Sequence, residues 1–110
     1  MTSIERHPDS QAFHDTLQAM GMLHDIKQRD YGRPESPFAN VIASEDFGIP
    51  GWIGCVVRAN DKMRRLQTAS QQLFDSGTIR MANESVEDSL LDLAVYAVIA
   101  LVLYQQEMKQ

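Results

Sequence analysis

Three carboxylates recur every fourth residue in "NESVEDSLLDLAVYAV" (83–98): Glu84, Asp88 and Asp92. On a helix they share one edge. The same stripe then continues into Val95, Tyr96 and Ile99, which seek burial. An acidic edge that runs into an apolar face stands at the mouth of an interhelical cleft, where carboxylates are costly without cations. "RANDKMRRL" carries such cations, with Arg58, Asp61, Lys62 and Arg65 at i, i+3, i+4 and i+7. This stripe lies beside the apolar one and can border a cleft. Two chemistries suit the pair. In the first, cations and carboxylates form a salt-bridged helix contact. In the second, Asp61, Glu84, Asp88 and Asp92 hold one or two Mg²⁺ ions, since Mg²⁺ prefers hard oxygen ligands. Arg58, Lys62 and Arg65 then hold phosphate oxygens. Spacing alone leaves both open.

Other chemistries find less support. His14 and His24 are ten residues apart, about 15 Å along a helix, too far to share a metal. Each "HD" dipeptide lacks the further ligands of a metal phosphohydrolase. There is no glycine-rich phosphate loop, no G-x-S-x-G and no zinc pattern. Tyr31 and Trp52 could stack on a base, although packing is the commoner fate of such rings. The formal net charge of -5 argues against a duplex nucleic-acid binder. One cysteine, Cys55, permits no intrachain disulfide and suits a reducing cytoplasm, with a small buried hydrophobe as its simplest role. "MTSIERHPDS" has no apolar signal region, and "LAVYAVIALVLY" (93–104) is too short to span a bilayer.

The elements that must position these residues are helical. The first long helix opens at "PDSQAF", with Asp9 or Ser10 as cap, and carries Phe13, Leu17, Met20, Leu23 and His24 on its apolar stripe up to Gly32. Residues 33–50 hold three prolines and cannot be one element, but "SPFANVIASE" allows a short helix. The second long helix starts near Pro50 and reaches about Phe74, with Val56, Ala59, Met63, Leu66 and Leu73 as its apolar stripe. A turn forms around Gly77. The third helix is capped by Asn83 with Glu87, or by Ser85 with Asp88, and runs nearly to the end. No β-alternation appears. A single all-α domain over 9–108 follows, behind a flexible segment 1–8. A domain this small cannot cover "LAVYAVIALVLY" alone, so oligomerisation is expected.

"KQRDYG", "VVRANDKMRRLQ" and "ESVEDSLLDLAVYAVIAL" together resemble the nucleotide modification associated domain family of phages. That family is itself similar to the MazG-like all-α nucleoside triphosphate pyrophosphohydrolases. The resemblance covers residues 22–104. It implies an antiparallel bundle of three long helices and one short one, assembled as a homodimer or homotetramer around a nucleotide cleft. It also implies Mg²⁺ on acidic side chains, and a metal-activated water that converts an NTP or dNTP to the monophosphate and pyrophosphate. Asp88 and Asp92 match the acids of the last motif, Glu84 begins it, and Asp61 matches the acid of the D-K pair. Lys62 and Arg65 would face phosphate, with Lys27, Asp30 and Tyr31 at the rim. Asp61 and Asp88 would orient the water, Lys27 and Arg58 would add to the phosphate site, and Tyr31 and Trp52 would meet the base. The chain departs from the pattern where the enzymes carry E-x-x-E, since here the pair is Arg58-x-x-Asp61. That puts a two-metal mechanism in doubt. A nucleotide-sequestering protein without turnover is the alternative, and a host cytoplasm is the expected location for either.

Overall fold

The computed structural model describes residues 4–31, 38, 42–80 and 85–109, apart from the side chains of Asp30 and Tyr31. Three long helices dominate: α1 (Gln11–Tyr31), α2 (Gly51–Ser76) and α3 (Val86–Met108). Short 3-10 turns occupy Pro8–Ser10 and Ile42–Phe47. No strand occurs among the described residues, so the all-α expectation holds. No helix among them is long and apolar enough to cross a membrane.

Local chemistry explains the boundaries. The Ser85 hydroxyl accepts the Asp88 N–H at 3.0 Å, which satisfies one of the orphan donors at the start of α3. The expected cap of Ser85 with Asp88 is thus formed; Asn83, the other candidate, lies outside the described residues. At the end of α2, Gly77 has φ 72° and donates its N–H to the Leu73 carbonyl at 2.9 Å. This left-handed stop suits a residue without Cβ. Ahead of α1 the cap differs from expectation. The His7 ring nitrogen Nδ1 accepts the Asp9 N–H at 3.0 Å, and Asp9 and Ser10 themselves lie in the 3-10 turn. Of the short helix expected in "SPFANVIASE", residues 36, 37 and 39–41 lie outside the described residues, and a 3-10 turn occupies Ile42–Phe47. Gly32, the proposed stop of α1, lies outside the described residues.

Helices α2 and α3 pack antiparallel, with Gly51 beside Leu103 and Lys62 beside Asp92. Their contact line on α2 runs through Cys55, Ala59, Lys62, Leu66 and Ala69, all buried or half-buried. The facing line on α3 is Val86, Ser89, Leu93, Tyr96, Ala100 and Leu103. Both advance in alternating steps of three and four, the spacing of helices that pack nearly parallel to one another. The fully enclosed side chains on this line, Cys55 and Ser89, are small. At Gly51 an added Cβ would stand 3.0 Å from Ile42 Cγ2 and 3.3 Å from Leu103 Cδ1, so the missing side chain lets the Ile42–Phe47 turn close over the end of the pair. The sequence stripe of α2 is thereby corrected. Val56, Met63 and Leu73 are exposed, because the contact line keeps Ala59 and Leu66 but is turned by about 50° towards Cys55, Lys62 and Ala69.

Helix α1 also runs against α3, with Lys27 at Asp92 and Leu17 to His24 alongside Val95 to Val102. Its hold is partial. Phe13 and Leu17 are exposed, while Met20, Leu23 and His24 are half-buried. His24 stacks on Phe38 with ring centroids 5.6 Å apart, which ties Phe38 to α1.

Replacing Ser85 by Ala removes the cap of α3 and should cost about 1 kcal/mol. Thermal unfolding followed by circular dichroism should show a melting point lower by about 4–8 °C. Burial pushes the Cys55 thiol above its ordinary value of 9.0, and the nearby Arg58 guanidinium draws it only part of the way back. The unfolded chain therefore ionises first as pH rises. At pH 8.5, iodoacetamide should label urea-unfolded protein within minutes and leave the native protein largely unlabelled.

Candidate functional site

Where the three helices meet, Leu23, Lys27, Lys62, Arg65, Asp88, Leu91 and Asp92 line an open hollow of about 460 Å³. Each helix reaches it for a local reason. Lys27 stands one turn beyond Leu23 on α1, so the apolar stripe delivers the lysine to the same face. Lys62 belongs to the contact line of α2, and Arg65 follows it at i+3. Asp88 and Asp92 are one turn apart on α3, about 6 Å along its axis. Leu23 and Leu91 supply apolar wall that the sequence reading did not assign to the site. The i, i+4 relation of Leu23 to Lys27 was the available signal.

Asp92 is the electrostatic centre. Its Oδ2 lies 3.1 Å from Lys62 Nζ and its Oδ1 3.5 Å from Lys27 Nζ. The side chains of Asp92 and Lys62 are 21% and 19% exposed, against 50% for Lys27. The Lys62 pair is therefore the tighter and drier, and its Coulomb attraction is screened least. The carboxylate joins α1 and α2 to α3 through one side chain. To this extent the salt-bridged helix contact, the plainer of the two sequence readings, is present. Arg65 and Asp88 extend the hollow beyond that bridge, so that among the described residues three cations and two carboxylates line the space. Such an excess attracts anions and suits phosphate oxygens in particular.

The other expected site residues fall elsewhere. Asp61 is exposed and does not line the hollow, because one residue's rotation, about 100°, turns it away from Lys62. Arg58 is exposed one turn earlier, near Cys55. Trp52 lies ten residues from Lys62, about 15 Å along α2. It meets Tyr104 edge-on at 5.5 Å and lines a separate hollow of about 530 Å³ beside the Ile42–Phe47 turn, with Glu45 and Glu107. Trp52 does not line the hollow at Asp92. Glu84 and the side chains of Asp30 and Tyr31 lie outside the described residues.

The donor set at the hollow bears on Mg²⁺. This ion is commonly held by one or two carboxylates together with waters and substrate phosphates. Asp88 and Asp92 make such a pair, but among the described residues no group of three His, Cys, Asp or Glu side chains converges. A cage made wholly of protein ligands, with Asp61 as a member, therefore does not form from them. No family model, curated protein or solved structure matches this chain.

Removing the shared acceptor should be worse than removing one donor. Asp92→Ala leaves Lys62 half-buried without its carboxylate and should cost about 2 kcal/mol, whereas Lys27→Ala, at a more exposed pair, should cost below about 1 kcal/mol. Urea denaturation of both variants checks the order, and equal losses would contradict the central place given to Asp92.

Proposed function

We propose that the hollow between α1, α2 and α3 binds the phosphate chain of a nucleotide, and that the protein is a Mg²⁺-dependent nucleoside triphosphate pyrophosphohydrolase. The observation that carries this reading is the convergence of Lys27, Lys62 and Arg65 with Asp88 and Asp92 on one open space. The likeness of the motifs to phage nucleotide-modification domains points the same way. Lys27, Lys62 and Arg65 neutralise and orient the phosphate oxygens. Lys27 and Lys62 exchange part of their contact with Asp92 for these oxygens, at little cost because charge pairing is conserved. Asp88 and Asp92 would hold Mg²⁺, which would supply charge neutralisation and a polarised water there. Leu23 and Leu91 form the dry wall that strengthens these interactions.

A second reading, binding without turnover, is favoured by a specific observation. Both oxygens of Asp92 already face lysines, which leaves Asp88 as the less committed carboxylate at the hollow. Arg58 at the position of an acid in the enzymes leans the same way. The two readings share the phosphate site and differ only in what the carboxylates do.

Incubation with a pool of NTPs and dNTPs, with and without Mg²⁺, separates them. Monophosphate and pyrophosphate that appear only with Mg²⁺ establish the enzyme. Intact nucleotide released from denatured protein, with no turnover, establishes the binder. For the enzyme, Asp88→Asn should lower kcat on the order of 100-fold with helical content unchanged. Full turnover in that variant would falsify the assignment. Lys62→Met should weaken nucleotide binding by about 10-fold or more under either reading, as a charge-assisted contact is lost. Unaltered affinity, measured by calorimetry, would remove the phosphate site itself.

A further inference from the structure

Hydrophobic residues make up 44% of the chain, yet no large apolar side chain among the described residues is fully buried. The accessible surface is 8597 Å². A compact monomer of 12.4 kDa exposes about 6,100 Å². The radius of gyration, 16.7 Å, likewise exceeds the roughly 13 Å of a compact chain of this length. The surplus area, about 2,500 Å², is well above the roughly 800 Å² that each partner contributes to an ordinary stable interface.

Part of the exposed apolar surface, on α3, has a regular form. On α3, Leu90, Ala94, Ala97, Leu101, Tyr104 and Met108 follow one another in steps of four and three. This stripe stands about 90° around the helix from the line that faces α2, and still further from the face that meets α1. Leu90, Leu101 and Met108 are 53%, 54% and 64% exposed. A four–three spacing is what a second helix needs in order to seat its side chains between those of the first.

We propose that this stripe seats a second copy of the chain, α3 against α3, in an antiparallel pair about a two-fold axis near Ile99. In that register Leu90 meets the partner's Met108, Ala94 meets the partner's Tyr104, and Ala97 meets the partner's Leu101. Every small residue opposes a large one, so the layers fill without voids. A parallel pair would set Ala94 on Ala94 and Ala97 on Ala97 in successive layers. It would also place Glu87, which continues the stripe one step before Leu90, against its own copy. The antiparallel register instead carries Glu87 beyond Met108, the last residue of the partner's α3, and sets the two glutamates at opposite ends of the pair. Like charges are thereby separated. The pairing is isologous and leaves the hollow at Asp92 on a different face of α3.

Light scattering after size exclusion, at about 50 μM protein, tests this without any nucleotide. The wild-type chain should elute at twice 12.4 kDa, or at a multiple that Leu101→Glu halves. Leu101→Glu should raise the dimer dissociation constant at least 100-fold with unchanged circular dichroism. The register has its own check, which also decides the matter if the charged variant loses helicity. Ala97→Leu and Leu101→Ala should each weaken the dimer, one by crowding and the other by a void. The double variant restores the large–small layer and should dimerise more tightly than either. A monomeric wild type overturns the proposal. So does a double variant no tighter than the single ones, or a dimer that survives Leu101→Glu and is broken by Leu17→Glu in the groove between α1 and α3.

Discussion

The close approach of α2 and α3 conditions everything else in this protein. It is possible because the residues on the contact line are small where the helices come nearest: Gly51, Cys55, Ala69 and Ser89 are buried there. Close backbones bring many weak dispersion contacts and leave little room for large side chains inside. The bulkier apolar residues therefore fall on other faces of the same helices. A chain of ordinary apolar content thus keeps a slender core and wide apolar flanks.

The same approach places a charged residue on the contact line. Lys62 sits where the repeat would otherwise set an apolar side chain, and Asp92 answers it from α3. A half-buried ion pair is weak support for stability in itself, since desolvation offsets much of the attraction. Its geometry matters more. Asp92 also receives Lys27, so a single carboxylate sets the register of α2 on α3 and the seating of α1. The resulting junction is polar and open on one side, with Arg65 and Asp88 beside it. Structural and functional readings of these charges thus describe one cluster. A phosphate chain that entered the hollow would compete with Asp92 for Lys27, the lysine that ties α1 down, so ligand binding and the seating of α1 would be linked.

Much of the fold was legible because its signals are local. The cap at Ser85, the stop at Gly77 and the apolar periodicity depend on residues within a turn or two of one another. The three long helices lie close to where these signals set them. The face of α2 that packs was not legible in the same way. Val56 and Met63 are as apolar as any core residue, and nothing within α2 tells whether its partner prefers them or the smaller line through Cys55 and Ala69. That choice belongs to α3, whose Leu103 packs beside Gly51 and whose Ser89 is fully enclosed.

The site divides along the same boundary. By itself the sequence determined that α3 bears carboxylates at one-turn intervals and that α2 bears a basic stripe, because helical geometry fixes neighbours at i+3 and i+4. It determined equally that Trp52 is a large ring near the start of α2. Only the tertiary structure decided that Lys62 and Arg65 join Asp88 and Asp92 while Asp61 turns outward and Trp52 packs on Tyr104. It alone set Lys27, from a helix 65 residues away in sequence, beside Asp92. The physical reason is that periodicity specifies position around one axis, whereas a site needs the relative rotation of several. That rotation is set by which side chains are small enough to let two helices meet.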